Sequence, residues 1–442
     1  EVLWFIVFEH WGAMHRVLGR LRCHILASLI YCGGGELASN KAYASRGDHH
    51  HRCTTSMAEE TSRPIRSTST GGASSSPNMF RKIWTPNFAA DDESFTSIVL
   101  DCGSGYTRIH KMLRRPDDGL VESERIGFLP PIADIVEGRI THSPLHDSEL
   151  AIGLWIEALE EGISKIKDHE DMPIFLGATG GLREAMNKGK VTKSDIAGFV
   201  SKLHHKFGER ATFHILSGEE EAYAELVATR FAAAKKYGFK EPVNFISCGG
   251  MTSQIGYGNT SEDLKFISYT TNVRDGNLLL LDHKNDLRGA LQVYEKKVRK
   301  EIQDRGVSNV PGIFMGIEMF GYVANSLGID GKLIPVHSAR KLMKDYREKW
   351  LEENADPSSS SSSSLSASSS SSNHNGDNND NNKSQWTWRN VFEPVLLTAT
   401  LEILDVLDDH ASIMLQNTFR FENGYRLKPA WTVGVYLEAT GY

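Results

Sequence analysis

The sequence predicts a mixed α/β fold whose sheet is covered by helices on both faces, and three observations point there. From residue 95 onward, short apolar runs of strand length alternate with longer stretches whose apolar residues recur at helical spacing. The strand-like runs feed into glycine-containing turns. The first and last of four such junctions also resemble each other, each an apolar strand, one polar residue, Cys-Gly and then small polar residues, which suggests two related lobes.

Taken in order, Ser97 to Asp101 is a buried-type strand. Thr107 to Leu113, the turn Pro116 to Gly119, and Leu120 to Gly127 form a hairpin. Ile152, Trp155, Ile156, Leu159, Ile163 and Ile166 share one helix face. Ile174 to Leu176 is a strand, and Ile196, Phe199, Val200, Leu203 and Phe207 mark a helix. The strand Thr212 to Leu216 precedes a helix carrying Tyr223, Leu226, Val227 and Phe231. Val243 to Ile246 is again a strand ahead of glycines.

The flanks read differently. The chain starts at Glu1 rather than methionine, which reads as a fragment, a processed form or a mis-set start. After Met14, arginines 16, 20 and 22 precede the apolar run Ile25 to Cys32, an order resembling a targeting peptide; the alternative is leader sequence ahead of Met57. Residues 58–80 are rich in Ser, Thr, Gly and Pro without apolar period, so 1–94 reads as a disordered leader. His49, His50 and His51 beside Cys53 lack a second ligand pair at zinc-like spacing and read as a solvated cluster. Ser358 to Ser372 and the Asn/Asp-rich run after it make 355–385 a disordered insertion inside a domain.

Composition bounds the function. The 442 residues are 40% hydrophobic and 24% charged, with 49 basic against 56 acidic side chains and a formal charge of −7. That balance argues against nucleic acid as a partner, and no apolar run of about eighteen residues suggests a membrane span or membrane association. The five cysteines, three of them in the front segment, exclude a disulfide scaffold.

The chemistry sits in the four junctions: Asp101 to Ile109, Gly177 to Glu184, Leu216 to Ala222 and Ser247 to Gln254. Glycines at strand ends let backbone N–H groups approach phosphate oxygens, and Ser104, Thr107, Thr179, Thr252 and Ser253 add hydroxyls. Structural alternatives exist for each. Ser217 with Glu220 fits a helix capping box, acidic Glu219 to Glu221 complement a helix dipole, Arg183 fits a loop cap, and Trp431 fits a core residue.

In this order the segments resemble the apyrase family, the nucleoside tri- and diphosphate phosphohydrolases, within the actin, Hsp70 and sugar-kinase superfamily. Asp101-Cys-Gly-Ser-Gly-Tyr-Thr-Arg-Ile109 looks like the family's first region, Ala178-Thr-Gly-Gly-Leu-Arg183 the second, and Ser217-Gly-Glu-Glu-Glu221 the third. Gly249-Gly-Met-Thr-Ser-Gln254 looks like the fourth and Trp431 to Leu437 the fifth, while Pro311 to Gly328 has the glycine-then-helix shape that contacts the nucleoside in the superfamily. Exopolyphosphatases are the nearest competitor, and Leu182-Arg-Glu-Ala185 has their flavour.

The resemblance implies two ribonuclease-H-like (actin-like ATPase) α/β lobes with a nucleotide cleft between them. The first spans 95–215 with 425–442, and the second spans 216–424. It implies a nucleoside di- or triphosphate as partner and Mg²⁺ or Ca²⁺ as cofactor. Glu221 would activate the attacking water, Thr252 and Gln254 would hold it, and Arg183 would hold its loop or contact phosphate. Gly103, Ser104, Gly105, Tyr106, Thr107, Thr179, Gly249, Gly250, Met251 and Thr252 would line the phosphates. Asp101, and Ser247 through a water, would hold the metal.

One departure matters: the family's fourth region opens with Asp, where this chain has Ser247. A hydroxyl carries no charge, so the metal is held less strongly or another carboxylate substitutes. That leaves a nucleotide-binding pseudoenzyme as a further alternative. Gly105 and Tyr106 also depart from the family's first loop. Cys102 and Cys248, one on each phosphate loop, are not expected to bridge, which favours a reducing, cytoplasmic compartment over the secretory one.

Overall fold

The computed structural model of the protein describes residues 79–84, 95–138, 147–249, 252–260, 263–270, 286–304, 312–354, 395, 397–404 and 410–441. The targeting-like run, the His49–Cys53 cluster and the 355–385 insertion lie outside them. The first described element is the short helix α1 (Met79–Ile83), which lies within the segment read from sequence as a leader. Five residues carry no period of their own. Phe80 and Trp84 are nonetheless buried, and the Phe80 N–H donates to the Glu438 carboxylate at 3.2 Å.

The first lobe opens with β1 (Thr96–Cys102), β2 (Thr107–Arg114) and β3 (Val121–Leu129). It continues through α2 (Ile132–Val136), α3 (Ser148–Ile163), β4 (Ile174–Ala178), α4 (Gly180–Asn187), α5 (Lys193–Phe207) and β5 (Ala211–Ile215). The helix α6 (Gly218–Tyr237) follows. The strands lie in the order β3-β2-β1-β4-β5, with β1, β2 and β3 antiparallel and β1, β4 and β5 parallel.

The second lobe repeats this plan. It comprises β6 (Asn244–Cys248), β7 (Thr252–Tyr257), β8 (Lys265–Thr270), α7 (Leu287–Gln303), β9 (Ile313–Glu318), α8 (Met319–Ser326), β10 (Leu333–Pro335), α9 (Val336–Asn354) and β11 (Ser412–Leu415). Its order is β8-β7-β6-β9-β11, with β10 added antiparallel on the edge. The small hairpin of β12 (Phe419–Arg420) and β13 (Arg426–Leu427) leads into α10 (Trp431–Ala439). Strand for strand, β6, β7, β8, β9 and β11 correspond to β1, β2, β3, β4 and β5. This is the actin-like arrangement of two ribonuclease-H-like α/β lobes.

Alternation of side chains along each strand assigns its two faces. Ile98, Leu100, Ile174 and Leu176 pack outward with Trp155, Leu159, Phe199 and Leu203 of α3 and α5. Val99 and Phe175 face the other way, toward Ala224, Ala228 and Phe231 of α6 and Val433 and Tyr436 of α10. In the second lobe Ile246 and Cys248 join the outer core, while Phe245 meets Ala222 and Leu226 of α6. Asp101 and Ser247 share the parity of Val99 and Phe245, so both face the central helix pair.

The two central helices are buried nearly all round, unlike the amphipathic α5. They meet at a crossing of small residues: a Cβ on Gly434 would run into the Ala224 carbonyl. Across the same contact the Tyr223 hydroxyl donates to Glu438 Oε1 at 3.0 Å. Gly434→Ala must therefore push the helices apart and should cost about 1–3 kcal/mol. Gly198→Ala, on the exposed side of α5 with nothing near the added methyl, should instead stabilise by about 1 kcal/mol. Urea unfolding of both variants checks the pair.

Candidate active site

The register of two equivalent hairpins builds the site. In the first, Cys102 pairs with Thr107 and Asp101 with Arg108. In the second, Cys248 pairs with Ser253 and Ser247 with Gln254. Directly opposed residues bring their side chains together. Asp101 Oδ2 accepts from Arg108 Nη1, and the Ser247 hydroxyl lies 2.9 Å from Gln254 Oε1. Each strand-end residue is then met by a central helix. Trp431 Nε1, at the start of α10, donates to Asp101 Oδ1 at 3.3 Å, and Ser247 Oγ lies 2.5 Å from Glu225 Oε2 on α6.

The start of α6 divides three consecutive glutamates. Ser217 caps the helix, with its side chain accepting from the Glu220 N–H and the Glu220 carboxylate accepting from the Ser217 N–H at 2.6 Å, the capping box that the spacing suggests. Burial pushes Glu220 up, but its bonds to His214 and Ser217 outweigh that and hold its carboxyl below the usual range. Glu219 is exposed. Glu221 points inward, where Arg183 Nη2 donates to its Oε2 at 3.0 Å and Arg183 Nη1 donates to the Leu216 carbonyl. Burial pushes the Glu221 carboxyl up to about 7; Arg183 opposes the rise and the nearby Asp101 charge adds to it.

The glycine segment after β4 is a helix start rather than an open loop: Thr179 is the N-cap residue of α4. Its glycines permit three close approaches. A Cβ on Gly181 would lie 2.6 Å from Ser104 Cα, and one on Gly180 would lie 2.9 Å from Thr252 Cγ2. A Cβ on Gly177 would overlap the Trp431 ring. Ser104, Gly180, Gly181, Arg183, Glu221 and Thr252 thus converge from both lobes.

Other sequence-predicted residues take structural roles. Thr107 is fully buried and donates to the Pro130 carbonyl at 3.3 Å. The Gly249 N–H donates to the Thr252 carbonyl at 2.9 Å within the hairpin turn, and the Gly103 Cα hydrogens face the Tyr106 carbonyl. Gly105 has open space beside it, and Tyr106 is 42% exposed with its hydroxyl accepting from Arg108 Nη2 at 3.2 Å. Gly250 and Met251 lie outside the described residues. Cys102 and Cys248 are buried and form no disulfide.

The Ser247 hydroxyl, expected from sequence to hold a metal-bound water, lies against Glu225 and Gln254. Among the described residues no three His, Cys, Asp or Glu side chains converge as a metal-binding set. A cation could draw on Asp101 but not on a cage of protein ligands.

Sequence reasoning missed Glu225. Its signal is an acidic residue four after Glu221, on a helix whose neighbouring positions are Ala222, Ala224, Leu226 and Ala228. Burial first, and the Glu221 charge second, hold its carboxyl well above the ordinary range. Burial first, and then the charges of Arg108, Arg125 and Lys428, push His110 down to about 4. Lys428 Nζ pairs with Glu318 Oε2 at 3.0 Å, and Glu318 ends β9 at a positive φ of 60°. Among the described residues no helix is long and apolar enough to cross a membrane.

No protein-family description and no curated protein matches the chain by sequence. Solved structures do resemble it. The type II variant of the Aquifex aeolicus Ppx/GppA phosphatase gives a TM-score of 0.50 at 13% identity, over 79% of this chain and all of that one. A nucleoside triphosphate hydrolase from Neospora caninum gives 0.44 at 11% identity, over 78% and 92%. An exopolyphosphatase from Cytophaga hutchinsonii gives 0.41 at 12% identity, over 78% and 98%. The first of these carries the two-lobed actin-like fold.

The raised Glu221 has a stability signature. A folded-state pKa above the unfolded one favours folding in acid, and that contribution is lost as pH rises through the folded value. Relative to Glu221→Gln, the wild type should therefore lose stability between about pH 4.5 and about pH 7. Urea unfolding of both proteins across that range measures the difference.

Proposed function

We propose that the protein hydrolyses terminal phosphoanhydride bonds, with Glu221 activating the attacking water. The observation that supports this most is the state of Glu221: a buried carboxyl poised near 7 and anchored by Arg183 where loops of both lobes converge. A general base works best when its pKa lies near the working pH. Ser104 and the backbone of the two hairpin turns would receive phosphate oxygens. Thr252 and Gln254 would orient the water, and Arg183 would keep Glu221 aimed. A bound Mg²⁺ or Ca²⁺ would neutralise the phosphate charge, with Asp101 as its protein contact through water.

Two substrate readings share this chemistry. The five ordered motifs support a nucleoside tri- or diphosphate. The Leu182-Arg-Glu-Ala185 segment, which has the flavour of exopolyphosphatases, supports inorganic polyphosphate. The pseudoenzyme reading, motivated by Ser247, predicts binding without turnover.

Phosphate release from ATP, ADP, GDP, UDP and polyphosphate, with Mg²⁺ or Ca²⁺, tests these readings. Glu221→Gln should lower kcat by about a hundredfold or more, and unchanged release would sink the mechanism. In the wild type, kcat/KM should rise with pH through about 7 as Glu221 loses its proton. A flat profile there would assign the base elsewhere.

A further inference from the structure

A hydrogen-bonded chain runs from the buried face of α6 to the edge of the site. Glu225 Oε2 lies 2.5 Å from Ser247 Oγ, Ser247 Oγ lies 2.9 Å from Gln254 Oε1, and Gln254 Nε2 donates to Thr252 Oγ1 at 3.0 Å. With the Gln254 amide oxygen toward Ser247 and its nitrogen toward Thr252, the chain has one direction. An amide oxygen only accepts, so the single Ser247 proton goes to Gln254. The short contact on its other side is then donated by the Glu225 carboxyl. At the far end Thr252 accepts from Gln254, which leaves its own proton to be donated onward. Thr252 is held against Gly180 of the first lobe, next to Arg183.

The equivalent position of the first lobe shows what the arrangement replaces. Asp101 there carries its own charge and is met by Arg108 and Trp431. Ser247 carries none, and the carboxyl beside it comes from the helix instead of the strand. Glu225 and Ser247 are both fully enclosed, while Thr252 is partly exposed. The chain therefore connects the interior to a surface where substrate can reach it.

We propose that Glu225 is a positioning residue, which through Ser247 and Gln254 fixes the Thr252 hydroxyl as a hydrogen-bond donor to the terminal phosphoryl group. This rests on the phosphohydrolase reading above. Any group of similar shape that can donate at 225 should serve, and the negative charge itself is not required. Glutamine meets that description and leucine does not.

The test compares full-length wild type, Glu225→Gln, Glu225→Leu and Ser247→Ala for kcat, KM and direct calorimetric binding of orthovanadate, which mimics the phosphoryl group in transfer. Glu225→Leu and Ser247→Ala should lower kcat and vanadate affinity about tenfold while KM moves less than about twofold. Glu225→Gln should recover both to within about threefold. If Glu225→Gln is as impaired as Glu225→Leu, the charge matters and the proposal fails. If Glu225→Leu and Ser247→Ala lose only thermal stability and keep kcat and vanadate affinity, the pair is mere packing and the proposal also fails. Should Glu225→Leu not fold, Ser247→Ala carries the comparison. A wild type that releases no phosphate from any substrate overturns the phosphohydrolase reading instead, and vanadate binding by the same variants still decides the positioning role.

Discussion

The close crossing of α6 and α10 is the constraint from which the site follows. Each helix ends one of two equivalent lobes, and each is buried on nearly every side. Two such helices approach closely only where side chains are small, and Ala224 against Gly434 meets that requirement. With the pair fixed, the N-terminus of each helix lies beside the strand ends. Trp431 then reaches Asp101, while Glu221 and Glu225, one helical turn apart, reach Arg183 and Ser247. A shift of either helix would disturb both lobes' contacts together.

The duplicated topology has been put to unequal use. The same hairpin register opposes Asp101 to Arg108 in one lobe and Ser247 to Gln254 in the other. The first pair is ionic and partly exposed, whereas the second is neutral and buried. Burial explains the difference. A fully ionised Glu225 beside both Glu221 and an Asp at 247 would gather three carboxylates with little solvent, and like charges in such surroundings suppress one another's ionisation. With serine at 247, Glu221 and Glu225 are the two carboxyls buried at this point of α6.

Much of the fold is legible in the order of the residues alone. The hairpin at 107–127, the helix faces around Trp155 and Phe199, and the glycine ends of four strands all follow from local period and turn chemistry. The capping box at Ser217 and Glu220 is also readable, because its partners lie three residues apart. Helix α1 is not, since Phe80 is tied to Glu438 of α10, 358 residues along the chain, and Trp84 packs on Phe175 of β4. The segment at 177–184 has the composition of a phosphate loop and is instead a strand end and a helix start, with its glycines serving close approaches to Ser104, Thr252 and Trp431.

By itself, the sequence proposed roles for Glu221, Arg183, Asp101, Thr252 and Gln254 through the resemblance of its motifs, and it determined the strands and helices that carry them. These depend on short-range period, capping and glycine placement, which are written in neighbouring residues. Only the tertiary structure decided which of them meet. It placed Ser247 between Glu225 and Gln254, because the strand's alternation aims it at α6. It brought in Glu225, whose partner lies 22 residues away and on another element. Contacts of that kind depend on where two helices cross, and no local pattern encodes the crossing.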